Sequence, residues 1–531
     1  MSLCVILAAG VGSRMANDCV HKALMPLKGK AIISYLIERS NSEKIVIAVG
    51  YKKQQIIDYV NCVYPNKNCI FVHVENFDGA GSGPGHSMEC CREFINEPFY
   101  LLTSDSYVEE ELPPITEDWI GIFESNYSHN YSTCSIDNKG IVNKFKNKSS
   151  EPLEYAFSGI MAVKNHQKFW EKFDTYKKER KDKEVEAIGV LYEPFYAPIY
   201  AKKLKYSDTG TKKMYDQLYE QVGSFATYEL KKENIDEATY KIDNKIIKLG
   251  NPNKISAKKH KHFLIKNWCT SLKSEHYESL ICSEYAEGNT LYDEDNENLY
   301  LKFLEWLDKG LFNIKADRPT SYHTSLEKFY KNKTLERIEK YCSQKMLPLE
   351  SSLIINGLKC DFFKSILDNI DWDELCHDPI DAVIHGDLNF GNVIASPNNK
   401  FYLIDWRDSF DGDINWGDRY YDYAKIYAGC EVNFKLLASS KCPFIVDNKE
   451  IRLEKMTTTA CKNLLIHFEN YLLNKKVNLN KVKTLAYLSY LNMAPLHPAL
   501  FGDFLAYYGI YKLCHERQRN YIKEKHRIDF E

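Results

Sequence analysis

Hydrophobic and polar positions alternate in two rhythms over the first 230 or so residues. Four short apolar runs, LCVILAA (3–9), KIVIAVG (44–50), IFVHV (70–74) and FYLLTSD (99–105), have the length and composition of buried strands. Between them, AIISYLIERS (31–40) and QQIIDYVNCV (54–63) carry apolar residues at helical spacing. Strand–helix–strand alternation predicts an α/β domain whose mixed, mostly parallel sheet is covered on both faces. Such sheets take ligands beyond the carboxyl ends of their strands, which directs attention to the loops after residues 9 and 102.

The pattern changes near residue 232. YKIDNKIIKLG (240–250) predicts a hairpin with an Asp-Asn turn, and LICSEYAEG (280–288) a strand running into a linker. Beyond 290 the spacing is helical, broken by a strand-like pair around HGDLNFGNV (385–393). Two domains are expected, 1–230 and 231–531. The second divides into a small, partly β lobe over about 231–288 and a helical large lobe over about 289–531. The most apolar tract, LAYLSYLNMAPLHPALFGDFLAYYG (485–509), is interrupted by prolines, a histidine and an aspartate, so it predicts buried helices. The lysine-rich YKKERKDKE (176–184) and AKKHKH (257–262) are expected to be solvated faces.

Composition narrows the function classes. With 531 residues, 44% hydrophobic and 27% charged, the chain is globular and long enough for two to four domains. A net charge of −3 excludes a global basic field for nucleic acid. No uncharged apolar stretch approaches the roughly 18 residues of a membrane span. The amino terminus enters a strand without a basic region or cleavage site, which predicts a cytoplasmic protein. Sixteen cysteines without a CxxC pair predict reduced core thiols, not a zinc site or a disulfide framework.

LAAGVGSRM (7–15) follows the first predicted strand, and its small residues let backbone amides approach phosphate oxygens. Arg14 adds a charged fork suited to a triphosphate, and KALMP (22–26) places a second cation, Lys22, near the same strand end. LAAGxGxRM…KxLxP resembles the sugar-phosphate nucleotidyltransferase superfamily, which includes phosphocholine cytidylyltransferases and sugar pyrophosphorylases. The resemblance implies a Rossmann-like nucleotidyltransferase domain. It makes Leu7, Ala8, Ala9, Gly10 and Gly12 nucleotide-binding, joined by Gly83 in GAGSGPGHS (79–87). It assigns Mg²⁺ to Asp105 in LLTSDSYV and to Asp208 in YSDTGT (206–211), and the acceptor phosphate to Lys148, which ends the hairpin DNKGIVNKFKNK (137–148). The chemistry fits the inventory. Two anions must meet when an acceptor phosphate attacks the α-phosphorus of a nucleoside triphosphate, so cations and metal must offset their repulsion.

HGDLNFGN matches H-x-D-x-x-x-x-N, the spacing with which kinases bring a catalytic aspartate and a metal-binding asparagine to one phosphoryl group. Here these are Asp387 and Asn392, with Asp405 at the end of FYLID as a second Mg²⁺ ligand and His385 as a brace. HGD, IDW (404–406) and GDRYYDYAK (417–425) together resemble the aminoglycoside phosphotransferase and choline kinase family, a two-lobed protein-kinase-like fold. That resemblance implies a lysine on ATP, for which Lys248 is the candidate and Lys245 the alternative. No glycine-rich loop precedes Lys248, and no glutamate stands in AKKHKHFLIKNW to pair with it.

Joined, the two activities form a sequence: a kinase turns an alcohol into a phosphate ester, and a nucleotidyltransferase uses that phosphate as its nucleophile. The expected enzyme takes ATP and CTP with Mg²⁺ at both sites and releases a CDP-activated amino alcohol or polyol, feeding glycan or cell-surface decoration. Its partners are small molecules, without nucleic acid or membrane insertion. Trp406 and Trp416, in WRDSFDGDINWGDRYY (406–421), either hold a cationic acceptor through their ring faces or pack the interior. Two alternatives remain open: an anomeric sugar kinase joined to a nucleoside-diphosphate-sugar pyrophosphorylase, and an active nucleotidyltransferase with a non-catalytic kinase-like binding domain.

Overall fold

The apolar runs at the start of the chain become the centre of a large sheet. The computed structural model describes residues 2–15, 19–125, 130–180, 189–190, 198–222, 237–270, 272–347, 352–398, 400–447, 450–497 and 499–528. Strand β1 (Leu3–Ala8) is followed by α1 (Ile32–Arg39), β2 (Lys44–Val49), α2 (Lys53–Val63), β3 (Asn68–His73), α3 (Pro84–Cys90) and β4 (Phe99–Thr103). β5 (Ser106–Val108), β6 (Trp119–Phe123), β7 (Thr133–Ile136), β8 (Val142–Lys146), β9 (Tyr155–Val163), α4 (His166–Arg180), β10 (Tyr200–Lys203), β11 (Tyr206–Asp208) and α5 (Lys212–Val222) complete the region. The strand order is β8-β7-β9-β4-β1-β2-β3, with β6 joining β9 to β10. β4, β1, β2 and β3 are parallel, whereas β9 enters antiparallel against β4. Every residue of β1 except Leu7 is buried, as a strand covered on both faces requires.

By contacts the chain divides into two units. One contains Met1–Thr227, Asn234–Ile255 and Ser274–Glu284; the other contains Ser256–Lys273 and Tyr285–Glu531. The expected boundary at 230/231 lies outside the described residues. β12 (Glu237–Ile242) and β13 (Lys245–Gly250) form the expected hairpin, with Asp243 in the left-handed region at its turn. Helix α6 (Pro252–Ile265), β14 (Ser274–His276) and β15 (Leu280–Glu284) follow, and the sheet order is β12-β13-β15-β14. This sheet was expected as the small lobe of the second domain, and it groups instead with the first unit. Its apolar face, carrying Tyr240, Leu249 and Leu280, shares one core with Tyr59 and Val60 of α2. The Asp58 carboxylate accepts hydrogen bonds from the amide and hydroxyl of Ser279, at 2.7 and 2.8 Å. Alternation revealed that face but could not name the surface that covers it.

The second unit is mostly helical. It contains α7 (Glu297–Lys309), a π-helical turn (Glu327–Asn332) continuing into α8 (Lys333–Lys345), and the antiparallel pair β16 (Val393–Ala395) and β17 (Phe401–Leu403). α9 (Arg419–Glu431), α10 (Thr459–Asn474), α11 (Leu479–Met493) and α12 (Ala499–Ile528) close the chain. The tract 485–509 forms α11 and the start of α12, separated by a short turn at Ala494–Leu496 that contains Pro495. No described helix is long and apolar enough to cross a membrane. The solvated face expected for AKKHKH is corrected at Lys261. It is 1% exposed in α6, donates to the Ile384 carbonyl at 3.2 Å, and burial lowers its ammonium to about 8.

Candidate active sites

In the first unit, cations and carboxylates meet past the carboxyl ends of β1 and β4. Gly12 adopts φ +67°, and a Cβ there would lie 2.9 Å from Cδ of Lys22, so glycine lets the turn lie under that side chain. Lys22 Nζ contacts Asp105 Oδ2 at 2.9 Å, with the two side chains 17% and 19% exposed. Burial alone would raise the Asp105 carboxyl. The Lys22 charge and hydrogen bond outweigh it and hold the group below the ordinary aspartate value.

Pairing of β11 with β5 sets Asp208 opposite Ser106. The Thr209 amide and hydroxyl both donate to the Asp105 carbonyl at 2.9 Å, which ties the two loops together. Asp208 accepts from the Gly210 amide at 2.6 Å and from the Tyr131 hydroxyl at 2.7 Å. A Cβ at Gly210 would lie 2.9 Å from Asp208 Oδ1, 3.2 Å from Asp105 Oδ2 and 3.5 Å from Arg14 Nη2. The structure therefore brings Arg14, Lys22, Asp105 and Asp208 together, and the glycine of DTGT leaves the space between them open.

Two oxygen donors converging on one space suit Mg²⁺, which binds through one or two carboxylates and completes its shell with phosphate and water. No group of three or more His, Cys, Asp or Glu suited to a metal occurs among the described residues.

The remaining predicted residues sit farther out. Gly10 follows β1 in open space, and Ala8 and Ala9 are buried. Leu7 accepts from the Ser104 amide at 3.3 Å. Gly83 caps α3 on the loop leaving β3, at the same edge of the parallel strands as Gly10. Lys148 stands in an exposed turn after β8, the sheet's edge strand, four places from β1. Two residues escaped sequence reasoning. Tyr131 carries no motif. His21, 1% exposed, was hidden by its neighbour Lys22; burial lowers it to about 3, and its neutral ring caps the Lys22 turn through the Ala23 amide.

In the second unit the stretch HGDLNFGN is a braced loop. Asp422 of α9 accepts from the amides of His385 and Gly386, each at 2.8 Å. His385 contacts the Ile404 carbonyl at 2.8 Å through Nε2, and its Nδ1 accepts from the Asp387 amide at 3.2 Å. It acts as a brace. The Asn392 amide nitrogen donates to the Asp387 carbonyl at 2.8 Å and to its carboxylate at 3.0 Å. Asp405, at φ +59°, follows β17 beside this loop, because the Ile404 amide donates to the Asn392 carbonyl. Asp387, Asn392 and Asp405 thus belong to neighbouring turns, and Asn392 and Asp405 carry the oxygen donors expected for Mg²⁺.

The Asp387 side chain is 39% exposed and lies 3.0 Å from Lys425 Nζ. Its surroundings oppose its charge, yet Lys425, His385 and Arg407 outweigh that and hold the carboxyl at about 2. Lys425 was missed. In GDRYYDYAK it lies one turn beyond Asp422 and faces the HGDLNFGN loop. Lys248 lies in β13, in the other unit from Asp387. Trp406 and Trp416 are 4% and 2% exposed, and their indoles donate to the Leu403 carbonyl and the Asp381 carboxylate. They pack the interior and form no cation cage.

Residues 4–112 match the model of the MobA-like NTP transferase domain. Among curated proteins, the bifunctional protein GlmU of Methanococcus maripaludis strain C5 is 28% identical over 171 residues, which is 30% of this chain and 40% of the relative. That of Methanococcus vannielii is 27% identical over 162 residues, 29% of this chain and 37% of the relative. The chain thus spans well under half of the curated relatives it matches. Among solved structures, CTP:phosphocholine cytidylyltransferase from Streptococcus pneumoniae is 19% identical, covering 42% of this chain and 99% of that one, with a TM-score of 0.37. HddC from Yersinia pseudotuberculosis is 20% identical, covering 42% and 100%, with a TM-score of 0.33. The family match assigns the amino-terminal region to the nucleotidyltransferase class.

Proposed function

We propose that the chain is a bifunctional enzyme. It phosphorylates a small alcohol, a polyol or amino alcohol, with ATP and then transfers a cytidylyl group from CTP to the new phosphate, releasing pyrophosphate. The observation that carries the reading is two groups of converging polar side chains in one chain, Arg14, Lys22, Asp105 and Asp208, and Asp387 with Asn392 and Asp405, each of the composition a phosphoryl or nucleotidyl transfer needs.

In the kinase step the acceptor hydroxyl oxygen attacks the γ-phosphorus and ADP leaves. Asp387 accepts the hydroxyl's hydrogen bond and then its proton as the new P–O bond forms. A carboxylate held at about 2 is a weak base, so its main contribution is orientation of a lone pair toward phosphorus. Asn392 and Asp405 would hold Mg²⁺.

In the nucleotidyl step a phosphate oxygen of the ester attacks the α-phosphorus of CTP. Lys22 and Arg14 offset the charge of the triphosphate, Asp105 and Asp208 would hold Mg²⁺, and Lys148 is the proposed contact to the incoming phosphate. Bound Mg²⁺ supplies charge neutralisation on the transferring phosphate in both steps. CTP as donor rests on the motif resemblance to phosphocholine cytidylyltransferases. Pyrophosphate release measured with CTP, UTP, GTP and dTTP, and ADP release measured with alcohols and sugars, test the two halves separately. Turnover of a free sugar at its anomeric hydroxyl with UTP or dTTP would replace this reading by the sugar-kinase alternative.

A further inference from the structure

The surroundings of Asp387 narrow the acceptor. The π-helical turn Glu327–Asn332 delivers Phe329 and then Lys333 to a pocket that Tyr421 of α9 also lines. π-Helical turns are rare and concentrate at functional sites. Lys333 Nζ lies 3.1 Å from the Phe329 ring centroid and 5.3 Å from that of Tyr421. The Arg407 guanidinium lies 5.2 Å from the Phe329 centroid and 5.9 Å from Tyr421, and Lys425 Nζ lies 5.6 Å from Tyr421. Three cations therefore surround two aromatic rings, and one of them, Lys425, also touches Asp387.

Negative groups act on several of these cations. Asp387 is taken by Lys425, Asp411 acts on Lys333, and Glu336 acts on Arg337, a fourth cation on α8. Burial pushes the Lys333 ammonium well below its ordinary value, and Arg407, Arg337 and Lys425 add to the displacement. A cluster of like charges gains from an anionic ligand, which offsets their mutual repulsion. Asn492, which lines the same pocket, presents a buried Oδ1 with no hydrogen-bond partner among the described residues. That atom accepts from a hydroxyl.

Resting on the kinase reading above, we propose that the phosphoryl acceptor is an alcohol carrying its own anionic group, a carboxylate or a phosphate, which Lys333, Arg407 and Lys425 hold while its hydroxyl faces Asp387. Such an acceptor is the opposite in charge of a choline-like one.

The test uses the full chain with ATP and Mg²⁺, following ADP release with four small alcohols: glycerate, glycerol phosphate, glycerol and choline. The expected result is a kcat/KM for one of the two anionic probes at least tenfold above those for glycerol and choline, and which of the two it is identifies the anion. Lys333→Gln is expected to lower kcat/KM for that probe at least tenfold, mainly through KM, while Lys333→Arg retains most of it. Arg407→Gln provides a second variant should Lys333→Gln fail to fold. Glycerol or choline turned over as well as the anionic probes would overturn the proposal and leave the kinase reading intact. ADP release with none of the probes, nor with any alcohol or sugar in a wider set, would remove the kinase reading and this proposal with it.

Discussion

On the proposed reading, Lys22 and Asp105, in contact at 2.9 Å, are the pair on which the nucleotidyl site depends at the residue scale. Replacing Lys22 with methionine keeps the bulk of the side chain and removes its charge. Pyrophosphate release is expected to fall by roughly 10²–10³-fold, the scale set by losing one preorganised electrostatic group. Steady-state assay of the variant beside a thermal melt separates this from misfolding. In the second unit, Asp387 and Asp422 shift in opposite directions, and the signs matter. Asp387 is depressed to about 2, so its contribution to stability is present above the unfolded value of about 3.9 and is lost as pH falls through 2. Lys425→Met removes the largest charge opposing burial, and the acidic limb of the phosphoryl-transfer profile is expected to move to higher pH. Asp422 is raised to about 6 by burial against the amides of His385 and Gly386. Between about pH 4 and 6 the folded chain holds a proton that the unfolded chain has released. That stabilisation, on the order of 2–3 kcal/mol, declines as pH rises through 6. Denaturation of Asp422→Asn across this range should show the dependence flattened.

Among elements, the loop after Ile384 and the turn before α8 carry the second site. Gly386 has φ +82°, and a Cβ there would lie 2.6 Å from the Arg407 Cβ. Gly386→Ala is expected to cost about 1–3 kcal/mol through backbone strain and that contact, and to lower phosphoryl transfer by moving Asp387. Chemical denaturation and ADP release measure the two effects. How much of this was legible follows from what each pattern encodes. β1, β2, β3 and β4, with α1 and α2, were readable because buried strands and amphipathic helices have different periods. The quartet Arg14, Lys22, Asp105 and Asp208 was readable because its members sit in motifs at fixed strand ends. Lys425, His21 and Tyr131 were not, because a single residue on another element carries no spacing. The π-turn leaves no periodic mark either. Lys261 in AKKHKH was misjudged because a charge run looks solvated whatever one of its members does.

At the scale of the whole molecule, the grouping of β12–β15 with the first unit has a consequence of its own. Tyr240 is fully buried, its ring centroid 4.8 Å from that of Tyr59, and its hydroxyl donates to the Leu24 carbonyl. Tyr240→Ala is expected to destabilise the nucleotidyltransferase unit by about 3–5 kcal/mol, read as an earlier unfolding transition. A chain ending at 230 should be similarly weakened, since it exposes the apolar face of α2. Sequence periodicity placed β12, β13 and β15 of this sheet but not β14, and the pairing of one apolar face with another is set by the tertiary fold.

The central claim is that one chain makes a phosphate ester at one site and consumes it at the other. The direct measurement is mass-spectrometric detection of the cytidine-diphosphate conjugate formed from ATP, CTP, Mg²⁺ and the free alcohol by wild type and by Asp387→Ala. The account predicts that the variant forms no conjugate from the free alcohol but forms it at the wild-type rate when the phosphorylated alcohol is supplied. An Asp387→Ala chain that still converts the free alcohol would contradict it.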